Sequence, residues 1–524
     1  MKILKLTHNE ILKQVKKLGF RICLIILFSL AILYPILTKT LSNVSFDSGV
    51  SYYEEEIKYL STYLSTGDNY EDKLNNEIIE LQISYYDLAK KEKIDYRDYR
   101  EYLIDNVIEK ELNLIIVNRL INGEDYSKIE KVIYSENKEY NTFFIDTKQF
   151  YYLSKEDLPL MKESLEKDIK SLNQAIKEND YSYVLKTELN SLEEEAKFAT
   201  DKDEISFYEL KINLYKQILT QNIKSSRDFR IKELQTITDA FYSRDSFPLI
   251  LEKDYNKEEM GMSYKVYNET RELNLKTSKD TIAISEYAIM NNIDYKKIGA
   301  RTNLIESSDF NVLILLFVTI VIAGGVMSFE FQTGTIRLLV IRPNKRFKII
   351  LSKLLAILII LTFMVMTVFV TSFIATGIVY GFSDYAISHL SVVGNKVVES
   401  SFILFNIKSF MILLIPVYFV SIFSFAMSTI TTNTAFSVGL GIFLALGNSL
   451  ILQILHLAHV PFLEYTFLPY LGYSAFLDPY SLVYSSSMFG FLLNFTRANI
   501  TLLSWGIVLY LISNFYFIKK DIKN

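Results

Sequence analysis

Residues 310–355 read FNVLILLFVTIVIAGGVMSFEFQTGTIRLLVIRPNKRFKIILSKLL. From Phe310 to Phe329 there is no charge, and crossing about 30 Å of hydrocarbon takes about 20 helical residues. Glu330 follows at once, and Gly334 interrupts the chain. Arg337, Arg342, Lys345, Arg346, Lys348 and Lys353 then set a cluster of cations against that one acid. A second apolar run begins at Ile349. The stretch therefore reads as a membrane span, a short basic connection and another span.

The same pattern recurs elsewhere in the 524 residues. Residues 22–38, ICLIILFSLAILYPILT, carry no charge and read as an uncleaved span over 22–42 rather than a signal peptide, because no clear A-x-A site follows. Further spans are expected at 309–329, 349–382, 402–428, 434–457 and 498–518. The run 349–382 exceeds one crossing, and its excess can be absorbed by tilt. Pro416 is an expected kink. Gly324, Gly325, Gly439, Gly441 and Gly447 are expected contact points between helices.

Charge orients the six spans. Residues 43–309 hold 53 acidic and 37 basic residues, a net charge of −16, while the remainder is net +12. The acidic balance argues against nucleic-acid binding by that segment. The basic stretches are 1–21, 330–348 and 519–524, and the positive-inside rule places them all in the cytoplasm. An even number of spans puts them on one side without adjustment. The expected location is the bacterial cell membrane, multi-pass, with both termini cytoplasmic and 43–308 outside. The lone Cys23 excludes a disulfide framework. His8, His389, His456 and His459 all lie outside 43–309, so no metal cluster is expected there.

Within 43–308 no apolar run reaches 18 residues. Leu165, Ile169, Leu172 and Ile176 are spaced 4-3-4, an a/d seam, and Leu185, Leu189 and Leu192 repeat it. Ser154-x-x-Asp157 with Pro159 marks a helix start. A helix over about 96–121 should stop at Asn122-Gly123. The expected fold is all-α: a polytopic membrane protein of six transmembrane helices, with a mainly helical, coiled-coil-like extracellular domain between helices 1 and 2. At the N-terminus, Thr7-His8-Asn9-Glu10 has a capping-box pattern, and Ile11, Val15 and Leu18 share one face.

The loop 328–355 resembles the cytoplasmic loop of type-2 ABC exporter permeases, which runs E-x-x-x-G-T-(I/L)-x-x-L-L…P between the second and third spans. Glu330, Gly334, Thr335, Ile336, Leu338, Leu339, Pro343, Asn344 and Lys353 match it. One branch carries a large extracellular domain between spans 1 and 2 and an amphipathic helix before span 1. The resemblance implies that 330–348 is a coupling helix seated on an ATPase subunit, with contacts from Glu330, Gly334, Thr335, Arg337, Leu338, Leu339 and Pro343. It further implies a cytoplasmic ABC ATPase partner, a second permease half, and an outer gate built from 458–497, whose Pro461, Pro469, Gly472, Pro479 and Gly490 interrupt any span.

No Gly-Lys dipeptide occurs, so the chain has no G-x-x-x-x-G-K-[ST] phosphate loop. ATP would be bound by the partner, with no cofactor and no catalysis in this chain. The expected function is the permease subunit of an exporter for an amphiphilic drug, peptide or lipid-like substrate, in contact with membrane lipids. The alternative is a non-transporting envelope receptor or scaffold of the phage-infection-protein kind. A membrane enzyme is a third reading, against which stands the absence of H-E-x-x-H and G-x-S-x-G.

Overall fold

The computed structural model of the chain describes residues 2–43, 48–94, 98–133, 150, 154, 156–179, 181–221, 223, 225, 227–340, 345–457, 460 and 462–520. It is mostly helical. Six helices are long and apolar enough to cross a membrane: Leu18–Leu41, Ala300–Gln332, Arg346–Tyr380, Phe402–Thr431, Thr434–Leu455 and Phe495–Lys519. The protein is a multi-pass membrane protein with the six spans expected from hydropathy.

Two compact units are present, Met1–Ser42 with Gln235–Asn524, and Asn43–Leu234. The division falls inside the stretch expected to form one domain. The helix Tyr264–Met290 packs on a hairpin of His389–Val393 and Lys396–Ser400 and on the helix Pro479–Phe489, and so belongs with the spans.

The unit Asn43–Leu234 is built from amphipathic helices with local caps. Asn69 Oδ1 accepts from Asp72 N at 2.7 Å to start Tyr70–Lys91, and Asp98 accepts from Arg100 N at 3.0 Å to start Tyr99–Ile121. Such caps are worth about 1 kcal/mol each. The latter helix ends at Asn122, with Gly123 at φ +84 as expected. Asp157–Glu178 also begins where expected, but here the Asp157 carboxylate reaches back to Ser154 Oγ at 2.6 Å. Leu165, Ile169, Leu172 and Ile176 are buried, and the helix packs against Tyr99–Ile121. Lys110 and Asp168 pair across that contact at 2.8 Å. Leu185, Leu189 and Leu192 are buried on Ser182–Glu195.

In the membrane unit the spans alternate in direction. At one end Asn303 Nδ2 donates to Thr38 Oγ1 at 2.7 Å, and Thr38 Oγ1 meets Tyr380 OH at 3.1 Å. This joins the end of the first span, the start of the second and the end of the third. At the opposite end Arg346 Nη1 donates to Ile518 O at 2.8 Å and Lys520 O at 3.0 Å. A guanidinium there satisfies carbonyls that a helix C-terminus leaves open. Ser328 and Thr434 share a hydrogen bond of 2.8 Å at the same end. The N-terminal helix, the loop after the second span and the start of the C-terminal tail thus gather at one end of the bundle.

The fourth span is broken at Leu414, between Phe402–Leu413 and Ile415–Thr431, with Pro416 in the first turn of the second piece. Of the five glycines expected as contact points, Gly324 and Gly441 make close contacts. A Cβ on Gly324 would lie 2.9 Å from Val438 Cγ2, and one on Gly441 2.6 Å from Ile320 Cγ2. Gly439 has open space, Gly325 has only Thr434 in ordinary contact, and Gly447 meets side chains of its own helix.

His389–Val393 and Lys396–Ser400 pair as an antiparallel hairpin, a small strand element in a mostly helical chain that the sequence reading did not include. Gly394 and Asn395 turn it with φ of +56 and +67, which suits the twist of a two-residue hairpin loop. Arg301, wholly buried, holds the hairpin by donating to Ile387 O at 2.9 Å and Ser388 O at 3.0 Å. One expectation needs correction: Thr7 and Glu10 do not cap a helix start, since the N-terminal helix already runs Lys2–Val15. The buried face of this helix is polar: Thr7, Glu10 and Gln14 are buried, Ile11 is half-buried, and Leu4, Leu12 and Val15 are exposed. The segment 458–497 forms short 3-10 turns at Leu463–Tyr465, Leu468–Leu471 and Tyr473–Phe476, then the helix Pro479–Phe489. His459 and Pro461 lie outside the described residues.

Candidate functional site

The second span does not run straight into the loop. Its helix pauses at Met327, and the N–H groups of Met327 and Ser328 donate to Ser428 Oγ at 3.2 and 2.9 Å. Ser437 Oγ donates to Gly324 O at 2.7 Å. Hydroxyls from the fourth and fifth spans thus satisfy the interrupted backbone, as buried backbone groups require. A short turn of helix, Ser328–Gln332, then carries Glu330 inward.

Glu330 is buried, at 2% exposure, and faces three lysines. Lys353 Nζ, with no exposed surface, lies 2.7 Å from Glu330 Oε1 and 2.8 Å from Glu10 Oε2. Lys13 also pairs with Glu330 Oε1. Glu330 Oε2 is buried without a hydrogen-bond partner among the described residues. Lys17 Nζ stands 5.1 Å over the Phe329 ring. Burial, then the Lys13 and Lys353 charges, push the Lys17 ammonium below the ordinary lysine range. Three cations thus surround two carboxylates, drawn from the N-terminal helix, the loop and the third span. Buried charges are tolerated only when paired, so each ion fixes the position of the others.

Beyond this cluster Gly334 turns the chain at φ +71, a conformation that glycine adopts without steric cost. Thr335 is exposed and its hydroxyl meets that of Thr333 at 3.0 Å. The helix Ile336–Val340 follows. Ile336 is buried in a cluster with Leu354, Phe425 and Phe517, and half-buried Leu339 packs against that cluster. Arg337 and Leu338 point the other way, Leu338 at 66% exposure, and Arg337 makes no ion pair among the described residues.

The expected coupling residues therefore separate into two groups. Glu330 is buried in the ion cluster, and Leu339 is half-buried against the core. Arg337, Leu338 and Thr335 form an outward face, with Gly334 at the turn before it. Pro343, together with Arg342 and Asn344, lies outside the described residues. Sequence reasoning missed Glu10 as a partner of Lys353, since 343 positions separate them. It also missed Ser428 and the capping role of Arg346. Glu10 was visible as the lone acid among the N-terminal cations, and that was the available signal.

Among the described residues, no group of three or more His, Cys, Asp or Glu side chains could hold a metal ion.

Comparison with known proteins places the recurring part of the chain in its C-terminal half. Residues 278–523 match a family described as "Protein of unknown function (DUF2705)". That stretch takes in the second to sixth spans, Glu330 and Lys353, and not Glu10 or Lys13. The chain is also similar to "Uncharacterized protein YhcI" of Bacillus subtilis (strain 168), 26% identical over 249 residues, which is 47% of this chain and 77% of that protein.

Proposed function

We propose that this chain is the permease subunit of an ATP-driven exporter of the type-2 ABC kind. It works in a bacterial cell membrane with a separate ATPase chain, which binds the ATP, and with a second permease half. The substrate is an amphiphilic drug, peptide or lipid-like molecule. Both termini and residues 330–348 are cytoplasmic, and the segment between the first two spans is outside.

The observation that carries the reading is the outward face of the short helix after the second span. Arg337 and Leu338 stand exposed on an element that is otherwise locked from within by Ile336, Leu339 and the Glu330 ion cluster. A loop that only set topology has no need of so rigid a support. An exposed guanidinium beside an exposed leucine fits a groove with one carboxylate and an apolar floor. Co-purification of the full chain from its own membranes tests this. An ATPase subunit should come with the native chain and be lost from Arg337→Glu.

A further inference from the structure

We propose that the sixth span carries a two-part site for a zwitterionic phospholipid-like amphiphile, with the headgroup at the start of the span and an acyl chain alongside it. As the substrate site of an exporter it rests on the reading above; as a binding site it stands by itself.

The head compartment is a pocket of about 650 Å³, where the start of the helix Tyr264–Met290 meets the entry to the sixth span. Its charged lining is Lys265, Glu269, Glu464 and Arg497. Arg497 Nη1 lies 2.5 Å from Glu464 Oε2, and Lys265 lies 3.9 Å from Glu269. Two cations and two carboxylates sum to zero. A head bearing both a phosphate and an ammonium can pair with each sign, whereas a purely anionic head leaves two carboxylates opposed to it.

The tail compartment is a groove of about 450 Å³ between the fourth and sixth spans. Tyr418, Phe419 and Ile422 form one wall, and Leu503, Gly506 and Ile507 the other. Gly506 leaves the space open, because a Cβ there would only just touch Ile422, at 3.5 Å. Both volumes lie in the range of about 300–1,000 Å³ usual for ligand sites. Both compartments draw on the sixth span, the head pocket on Thr496, Arg497 and Ile500 and the groove on Asn499 to Tyr510. Gly506 follows Arg497 by nine residues, about 13 Å at ~1.5 Å per residue. An apolar groove along a span that carries a charge-balanced pocket at its start matches a molecule with that division of polarity.

The test uses the purified full chain in nanodiscs with phosphatidylethanolamine bearing a photoactivatable group on one acyl chain, followed by mapping of the labelled residues. Labelling should concentrate on 502–510 and 415–422. It should fall at least fivefold in Gly506→Phe and in Leu503→Trp, the second being an exposed rim position that leaves packing intact. Arg497→Glu and Lys265→Glu should also reduce it. Unlabelled phosphatidylethanolamine should compete, and phosphatidylglycerol should compete several-fold less. Labelling spread evenly over all lipid-facing spans, or unchanged in both groove variants, would overturn the site. Equal competition by phosphatidylglycerol would overturn the headgroup assignment. No ATPase enters the assay, so failure here leaves capture of an ATPase subunit by the same preparation untouched.

Discussion

Lys353 Nζ stands 2.8 Å from Glu10 Oε2 and 2.7 Å from Glu330 Oε1, with none of its surface exposed. The N-terminal helix, the loop after the second span and the third span are thereby pinned at one point. Removing one ion strands the others in a buried setting, which typically costs about 3–5 kcal/mol. Lys353→Met should therefore lower the thermal midpoint of the detergent-solubilised protein by several degrees. A triple replacement, Lys353→Met with Glu10→Gln and Glu330→Gln, should recover much of the loss. An unchanged midpoint in Lys353→Met would remove the cluster from the account of stability.

The unit Asn43–Leu234 carries its own helix seams, so residues 50–234 should fold alone as a helical protein with a cooperative melt by circular dichroism. Leu172, 3% exposed on the Asp157–Glu178 seam, is a sensitive position. Leu172→Ala should cost about 2–5 kcal/mol in denaturant unfolding of that fragment. A spectrum of mostly strand or coil would defeat the assignment.

His389 stacks on Phe405 with ring centroids 3.5 Å apart, and burial, with the Arg301 charge beside it, pushes its pKa down from 6.5 to about 4. The unfolded chain takes up this proton at a higher pH than the folded chain does. Stability from this group is thus complete above about pH 6.5 and is lost as pH falls toward 4. His389→Phe should flatten the melting temperature against pH across that window. An identical slope in both proteins would show that the histidine does not titrate this way.

Orientation can be read from intact cells in a Cys23→Ser background. A membrane-impermeant maleimide should label Ser171→Cys and should spare Lys345→Cys until the cells are opened. The reverse pattern would invert the topology.

What the sequence made legible, and what it hid, divides by range. The six spans were readable because each is set by its own length and hydropathy, within one stretch of chain. The Glu330-x-x-x-Gly334 turn was readable because the glycine acts locally. Lys353 looked like one more basic residue at a membrane edge, and its burial depends on Glu10, 343 positions away. The Thr7-x-x-Glu10 spacing suits a capping box, yet the same two residues lie on one helical face that packs inward against the third span. Long-range packing decided between two local readings of one pattern. The hairpin was present in the alternation of His389–Val393 and Lys396–Ser400 about Gly394-Asn395, but the short connection between two strong spans masked it. The separation of Leu338 from Leu339 follows only from which side of a five-residue helix meets the core.

The most direct test of the central claim compares Arg337→Glu with Lys396→Glu, a charge reversal of the same size on the exposed hairpin at the opposite end of the spans. Both variants should insert and melt like the native protein, because neither residue is part of the ion cluster. The measurement is the amount of ATPase subunit that co-purifies with each, together with the ATP hydrolysis of the isolated complex. The account predicts native levels for Lys396→Glu and at least a tenfold loss for Arg337→Glu, which corresponds to about 1.4 kcal/mol of docking energy. Native ATPase capture and hydrolysis in a correctly inserted Arg337→Glu protein would contradict it.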